Sequence, residues 1–397
     1  MYKINLKPFR DFLHSKQIGG VILLGCVCIS LVIANSSLGS DLENLLSYEI
    51  GFGYYHFQLS QSVSTWVNDG LMAIFFLLVG LEIKREILEG ELSSIKKATM
   101  PLFAAFGGMF VPALLFTIIN CHTPTNNGWG IPMATDIAFA LAIMSLLGKR
   151  VPTSLIVFLA ALAIADDIGA ILVIAIFYTE QLHWDQLLYA AGILVLLTSL
   201  NLMGVKKLLF YVIPGLFLWY FIHHSGIHAT ISGVLIAFTV PTNPEKNESP
   251  LEKLEHIIVN PVSFLIMPIF ALINTNIPFE KSMITGLKSP LGLGILLGLI
   301  AGKPIGITLF SWLSVKFGLC RLPSKSNWKH IIGLGMLAGI GFTMSIFVSM
   351  LSFNDPTYQT NAKFCVLLAS LIAGLSGYIF LWLIHKKQKT NHIRQQR

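Results

Sequence analysis

Few features constrain a chain as strongly as an apolar run long enough to cross a bilayer, and this sequence carries about twelve of them. Numbered as segments one to twelve, they cover residues 17–35, 66–83, 98–119, 129–147, 152–178, 186–203, 207–222, 226–240, 256–275, 290–312, 328–351 and 362–384. Hydrocarbon offers a backbone no water to bond to, so each run has to satisfy its own amides as a helix. The 397 residues are 54% hydrophobic and only 12% charged, against about 25% charged in soluble domains. A soluble fold would need more polar surface than this, so the chain reads as an all-α polytopic membrane protein.

The basic residues give an orientation. With the N-terminus placed in the cytoplasm and the segments alternating, 23 of 27 Lys and Arg fall on the cytoplasmic side. Outside lie Lys281, Lys288 and Lys363, and Lys303 falls within segment ten. Cytoplasmic loops are enriched in Lys and Arg, so the split predicts twelve spans with both termini inside: a cytoplasmic N-terminus at 1–16 and a cytoplasmic tail at 385–397. The net charge of +7 then reflects topology. It is spread over seven cytoplasmic pieces without a basic stripe, which argues against nucleic acid as a partner. Five cysteines, scattered and without C-x-x-C spacing, suggest neither a disulfide framework nor a zinc site. The first apolar run is followed by many more and reads as a retained helix rather than a cleaved signal. The whole of 1–397 reads as one integral membrane domain.

Between segments one and two, residues 36–65 carry no Lys or Arg. Tyr48, Ile50, Phe52, Tyr55, Phe57 and Leu59 alternate around Gly53, the pattern of a short extracytoplasmic β-hairpin. An open hairpin edge can pair with a second copy, so the 48–59 hairpin allows a homodimer; a self-contained surface hairpin is the plainer reading.

Chemistry is to be sought where polar groups lie at bilayer depth. Asp166 and Asp167 sit side by side in segment five, where each carboxylate costs roughly 3 kcal/mol on insertion scales. Neighbours on a helix point about 100° apart, so the two carboxylates are expected to have different partners. Thr135 and Asp136 follow Gly128, Gly130 and Pro132 in segment four, which reads as a helix that breaks in the membrane and frees backbone groups to meet an ion. Lys303 stands between Gly302 and Pro304 in segment ten, and His228 lies near Gly226 and Gly233 in segment eight. A second interruption, Gly333, Gly335, Gly339 and Gly341 followed by Thr343, falls in segment eleven. Paired interrupted segments in the two parts of a transporter point to a site at the bilayer midplane, here relating segments three to five with ten to twelve. A lone histidine such as His228 is more often a packing residue, with at most a tuning role. Asp69, near the start of segment two, reads as a helix cap, and His223 with His224 at an extracytoplasmic turn lack the further ligands of a metal site.

Taken in order, Ala134, Thr135, Asp136, then Ala165, Asp166, Asp167, Ile168, Gly169, then Gly302, Lys303, Pro304, and finally Gly339 to Ser345 resemble the motifs of the NhaA family of sodium/proton antiporters over nearly the full chain. The resemblance implies a twelve-helix fold with inverted repeats, in which discontinuous segments four and eleven cross beside the aspartates; this family is among the stock examples of that architecture. It also implies that Asp167 is the principal cation ligand, that Asp166 joins it or pairs with Lys303, and that Thr135 and Asp136 compensate the crossing of the broken helices. Sodium, or lithium, and protons would then compete for the same carboxylates in an electrogenic, pH-regulated exchange serving sodium and pH homeostasis in a bacterial inner membrane. No cofactor is expected beyond the transported ions and the surrounding lipid.

Glu82, Lys84, Arg85 and Glu86 end segment two, with Glu82 and Glu86 one turn apart on one face. An ordinary charged helix end at the headgroups would look the same. The resemblance implies that Glu82, Arg85, Glu86, Glu255 and His256 form a cytoplasmic pH-sensing region; where some members carry another histidine, this chain has Val259. Two other classes compete with an antiporter. An intramembrane aspartyl protease needs facing carboxylates, which adjacent residues cannot supply and only Asp136 with Asp167 could. A passive channel would ring a pore with acceptors, which a buried lysine does not suit.

Overall fold

The computed structural model describes residues 7–54, 57–179, 181–242 and 249–395. Tyr55 of the expected hairpin, Lys246 of a cytoplasmic loop and the two ends of the chain, 1–6 and 396–397, lie outside the described residues. The protein is an all-α polytopic membrane protein with one small antiparallel sheet. Each of the twelve expected segments coincides with helix. Among the described residues, seven helices are long and apolar enough to cross on their own, and two bent pairs add further candidates. Segment seven is the shorter apolar helix Leu209–His223. Segment eight is shorter still, Ile231–Thr239. The closing helix runs Pro356–Gln395 and takes in most of the expected tail.

The chain forms two compact units interleaved in sequence. One comprises 1–21, 91–170 and 279–397; the other comprises 22–90 and 171–278. The first unit therefore contains segments three and four, segment five up to residue 170, and segments ten to twelve, the two groups that the interruptions pair.

Inside that unit, Ile95–Asn120 and Pro290–Lys316 pack along each other. Segment ten carries glycines at 294, 298, 302 and 306, one turn apart, which lets two backbones approach closely in lipid. A Cβ at Gly306 would land on the Gly107 carbonyl oxygen, and one at Gly302 would meet Pro112 Cα at 3.0 Å. Segment ten also carries a π-helical turn, Gly298–Gly302, directly before Lys303. Such turns, with their i to i+5 bonding, are frequent at functional sites.

In the second unit, segments two and eight meet just as closely: a Cβ at Gly80 would press on Ala237, and one at Gly233 on the Ala73 carbonyl. Tyr211, Leu218, Leu197 and Leu81 form part of a buried cluster there, and the Tyr211 hydroxyl donates to Val205 O at 2.8 Å. After segment one the chain bends by 108° into the helix Gly39–Ser47, which buries none of its residues. Strands Glu49–Tyr54 and Phe57–Ser62 follow, paired with Phe52 opposite Leu59 and Tyr54 opposite Phe57. Trp66 Nε1–H donates to Ile50 O at 2.8 Å and ties the hairpin to the start of segment two.

Asp69 is not a cap. It lies inside the π-helical turn Trp66–Leu71, and the short helix before that turn is capped by Ser62, which accepts from Thr65 N–H. The Asp69 carboxylate lies 3.4 Å from His223 Nδ1, and Trp219 Nε1–H donates to its carbonyl at 3.1 Å. Sequence spacing misled here because the capping residue lies seven positions upstream, at the hairpin's end.

Candidate ion site

Segment four enters as the 3-10 helix Asn126–Met133, extends through 134–136 and resumes as the α-helix Ile137–Leu146. Segment eleven runs Trp328–Ala338, breaks at 339–341 and resumes as Phe342–Ser352 with a bend of 49°. Glycines with Pro132 in segment four, and Gly339 and Gly341 in segment eleven, leave the backbone without a helical ladder, and each break satisfies the other. Asp136 N–H donates to Ile340 O at 2.6 Å, the Thr135 hydroxyl to Ala338 O at 3.0 Å, and the Ser345 hydroxyl to Ile131 O at 2.7 Å.

The Asp136 carboxylate, 2% exposed, serves two helix starts. Its Oδ1 accepts from Phe139 N–H at 3.1 Å, which caps segment four's second half. Its Oδ2 accepts from Thr343 N–H at 3.2 Å and from the Thr343 hydroxyl at 2.5 Å, at the start of segment eleven's second half. A helix N-terminus behaves as roughly half a positive charge, so one buried carboxylate lies against two such ends.

Segment five, Thr153–Phe177, presents Asp166 and Asp167, 1% and 4% exposed. Lys303, wholly buried, donates from Nζ to Asp166 Oδ2 at 2.5 Å and to Thr135 Oγ1 at 2.8 Å. Thr135 therefore accepts from Lys303 while donating to the segment-eleven carbonyl. Asp166 Oδ1 is buried and has no hydrogen-bond partner among the described residues. Two carboxylates and one ammonium are buried together here, and carboxylate oxygens can hold either a proton or a hard cation. Of the expected site residues, Lys303 is thus bonded directly to Asp166 and Thr135, while Asp136 bonds to segment eleven. Thr343 and Ser345 stood inside the quoted motif without a role. Their spacing from Gly341 placed them at the start of a helix, which is where a trans cap is needed.

The second unit holds the charged end of segment two. Arg85 Nη1 pairs with Glu255 Oε1 at 2.9 Å, with Glu255 buried and Arg85 one-third exposed. Glu82 is also buried, Glu86 half-buried, and His256 exposed. Lys84 donates to Phe238 O at 2.7 Å and Val240 O at 2.5 Å, closing the C-terminus of the Ile231–Thr239 helix as a cation suits. That capping role was not visible in sequence, since the acceptors are backbone carbonyls more than 150 residues away. His228 belongs elsewhere: it precedes the opposite end of the same helix, with Nδ1 3.2 Å from the Thr230 hydroxyl.

Broken helices whose gaps bond to each other, with an ion pair and a second carboxylate buried beside them, define a polytopic membrane protein built around a charged site. Comparison with known proteins narrows the class. A family model described as Na+/H+ antiporter 1 matches residues 10–381. The chain is 57% identical over 387 residues to Na(+)/H(+) antiporter NhaA 2 of Flavobacterium johnsoniae, covering 97% of this chain and 95% of that one. It is 50% identical over 379 residues to Na(+)/H(+) antiporter NhaA of Flavobacterium psychrophilum, covering 95% and 96%. It is 49% identical over 390 residues to the protein of that name in Pelagibacter ubique, covering 98% and 100%. The chain belongs to the Na+/H+ antiporter 1 family.

Proposed function

We propose that this protein exchanges cytoplasmic sodium or lithium for external protons across a bacterial inner membrane, as one transporter domain with both termini cytoplasmic. The bond from Lys303 to Asp166 carries the reading, because it makes the lysine a built-in rival of the transported cation. Sodium needs oxygens from both Asp166 and Asp167, so it displaces the ammonium from Asp166 as well as a proton from Asp167. A neutral Lys303 amine then remains beside the filled site, its proton released. When sodium leaves, Asp167 and Lys303 recover their protons and the ion pair with Asp166 closes again.

One sodium exchanged for these two protons moves one net charge per cycle, worth about 2.3 kcal/mol per 100 mV. Thr135 orients the Lys303 amine in both states, and Asp136 offsets the positive helix ends. The names of the relatives support the choice of ions. On the cytoplasmic side, the Arg85–Glu255 pair with Glu82, Glu86 and His256 is the candidate for pH regulation, and His228 tunes at a distance. The hairpin is open to pairing with a second copy.

Everted vesicles from cells lacking other antiporters test the reading. Respiration acidifies the interior, sodium is added, and a fluorescent proton-gradient dye is followed from about pH 6.5 to 8.5. Sodium-dependent dequenching that disappears in Asp167→Asn is expected. Its absence from folded, inserted wild-type protein at every pH sinks the antiport reading and restores the protease and channel readings.

A further inference from the structure

The second half of segment eleven begins inside the protein, and its first amides need acceptors the helix cannot supply. The residue at the cap position is Gly341, which has no side chain to offer. Thr343 N–H is met by Asp136. Phe342 N–H is met by the Ser370 hydroxyl oxygen at 3.1 Å, on segment twelve and 28 residues further along the chain. Ser370 is 7% exposed, so no bulk water stands ready to replace it.

Serines within helices ordinarily turn their hydroxyl back onto a carbonyl of the preceding turn. Ser349 does so to Ile346 O, Ser352 to Val348 O and Ser376 to Ala373 O. Ser370 instead accepts from another helix, at the first residue beyond a break. Two positions before Phe342 lies Ile340, whose carbonyl accepts Asp136 N–H. The hydroxyl thus anchors the strip of backbone against which segment four is bonded.

We propose that Ser370 is a positioning residue of the ion site: by capping Phe342 from segment twelve, it fixes where Thr343 holds Asp136 and where the backbone at the break accepts from Asp136 and Thr135, the latter bonded in turn to Lys303. The proposal rests on the antiport reading and adds a residue that touches neither ion nor carboxylate.

The test is the same vesicle assay read against sodium concentration at fixed pH, with amplitudes corrected for the amount of inserted protein. Ser370→Ala is expected to raise the sodium concentration for half-response about tenfold, the size of one lost hydrogen bond, with the maximal response within about twofold. Ser370→Thr, which keeps the hydroxyl, is expected to restore it. A merely structural loss would lower the amount of protein and leave the half-response unmoved. Should Ser370→Ala fail to insert, Ser370→Cys, a weaker acceptor, is expected to give a smaller shift in the same direction. A wild-type half-response in Ser370→Ala, or in Ser370→Cys where only that inserts, overturns the proposal alone. Wild-type vesicles without any sodium response overturn it together with the antiport reading.

Discussion

Asp136 and Thr343 lie 207 residues apart in sequence, yet one carboxylate oxygen of Asp136 accepts both the amide and the hydroxyl of Thr343. The other oxygen caps the helix that Asp136 itself begins. A single side chain therefore holds the starts of both broken helices. Removing it leaves buried amides without acceptors, at about 1–3 kcal/mol each. Asp136→Ala is expected to lower the unfolding temperature of the detergent-purified protein markedly, and Thr343→Val to lower it less. Because the two share a bond, the double variant should fall short of the sum. Additive effects in the melting experiment would refute the shared cap.

The Lys303–Asp166 pair supports a second expectation. A buried ion pair is strongly destabilised when one partner is removed, by about 3–5 kcal/mol, whereas replacing both with apolar residues of similar size is often neutral. Lys303→Met alone should destabilise the protein, and adding Asp166→Leu should recover much of the stability without recovering transport. Denaturation of the three variants, alongside the vesicle assay, checks both halves. A double variant that still exchanges sodium would remove Asp166 and Lys303 from the mechanism.

Segment ten's glycine row gives a third. With Gly306 pressed on the Gly107 backbone, no rotamer of a larger side chain relieves the contact, since the obstacle is main chain. Gly306→Leu should separate segments three and ten and carry Lys303 away from Asp166. Gly318, whose added Cβ meets nothing within 4 Å but whose φ is +72°, is a useful contrast: there substitution strains only the local turn. Cysteine cross-linking between segments three and ten should weaken in the first variant and persist in the second.

These cases show what the sequence made legible. Asp166, Asp167 and Lys303 stood out because a charge in an apolar run has no cheap structural explanation, and the paired breaks because glycines interrupt segments four and eleven alike. The hairpin showed in its alternation. Ser370, the Gly294–Gly306 row and the Lys84 cap did not stand out. Serine and glycine are ordinary in membrane helices, so their identity carries little signal until the partner is known. Each of these partners lies elsewhere in the sequence, and for Ser370, Gly302, Gly306 and Lys84 it is backbone, which every residue shares. Asp69 misled for the opposite reason: its position suggested a local cap, while its carboxylate pairs with His223.

The Arg85–Glu255 pair supports the last expectation. Glu255 is buried on segment nine's opening helix, Pro250–Pro261, and its Oε1 meets the partly exposed Arg85 guanidinium at 2.9 Å. A buried carboxylate that loses its cation favours its protonated, neutral form. Arg85→Gln withdraws that cation, and if deprotonation at this cluster accompanies activation, the pH profile of sodium-dependent dequenching should move to higher pH. Glu255→Gln removes the carboxylate and should flatten the dependence instead. Arg85→Lys keeps the charge but loses the planar fork that suits a carboxylate, so its profile should fall between wild type and Arg85→Gln. Superimposable profiles for wild type, Arg85→Gln and Glu255→Gln would show that pH control lies outside this pair.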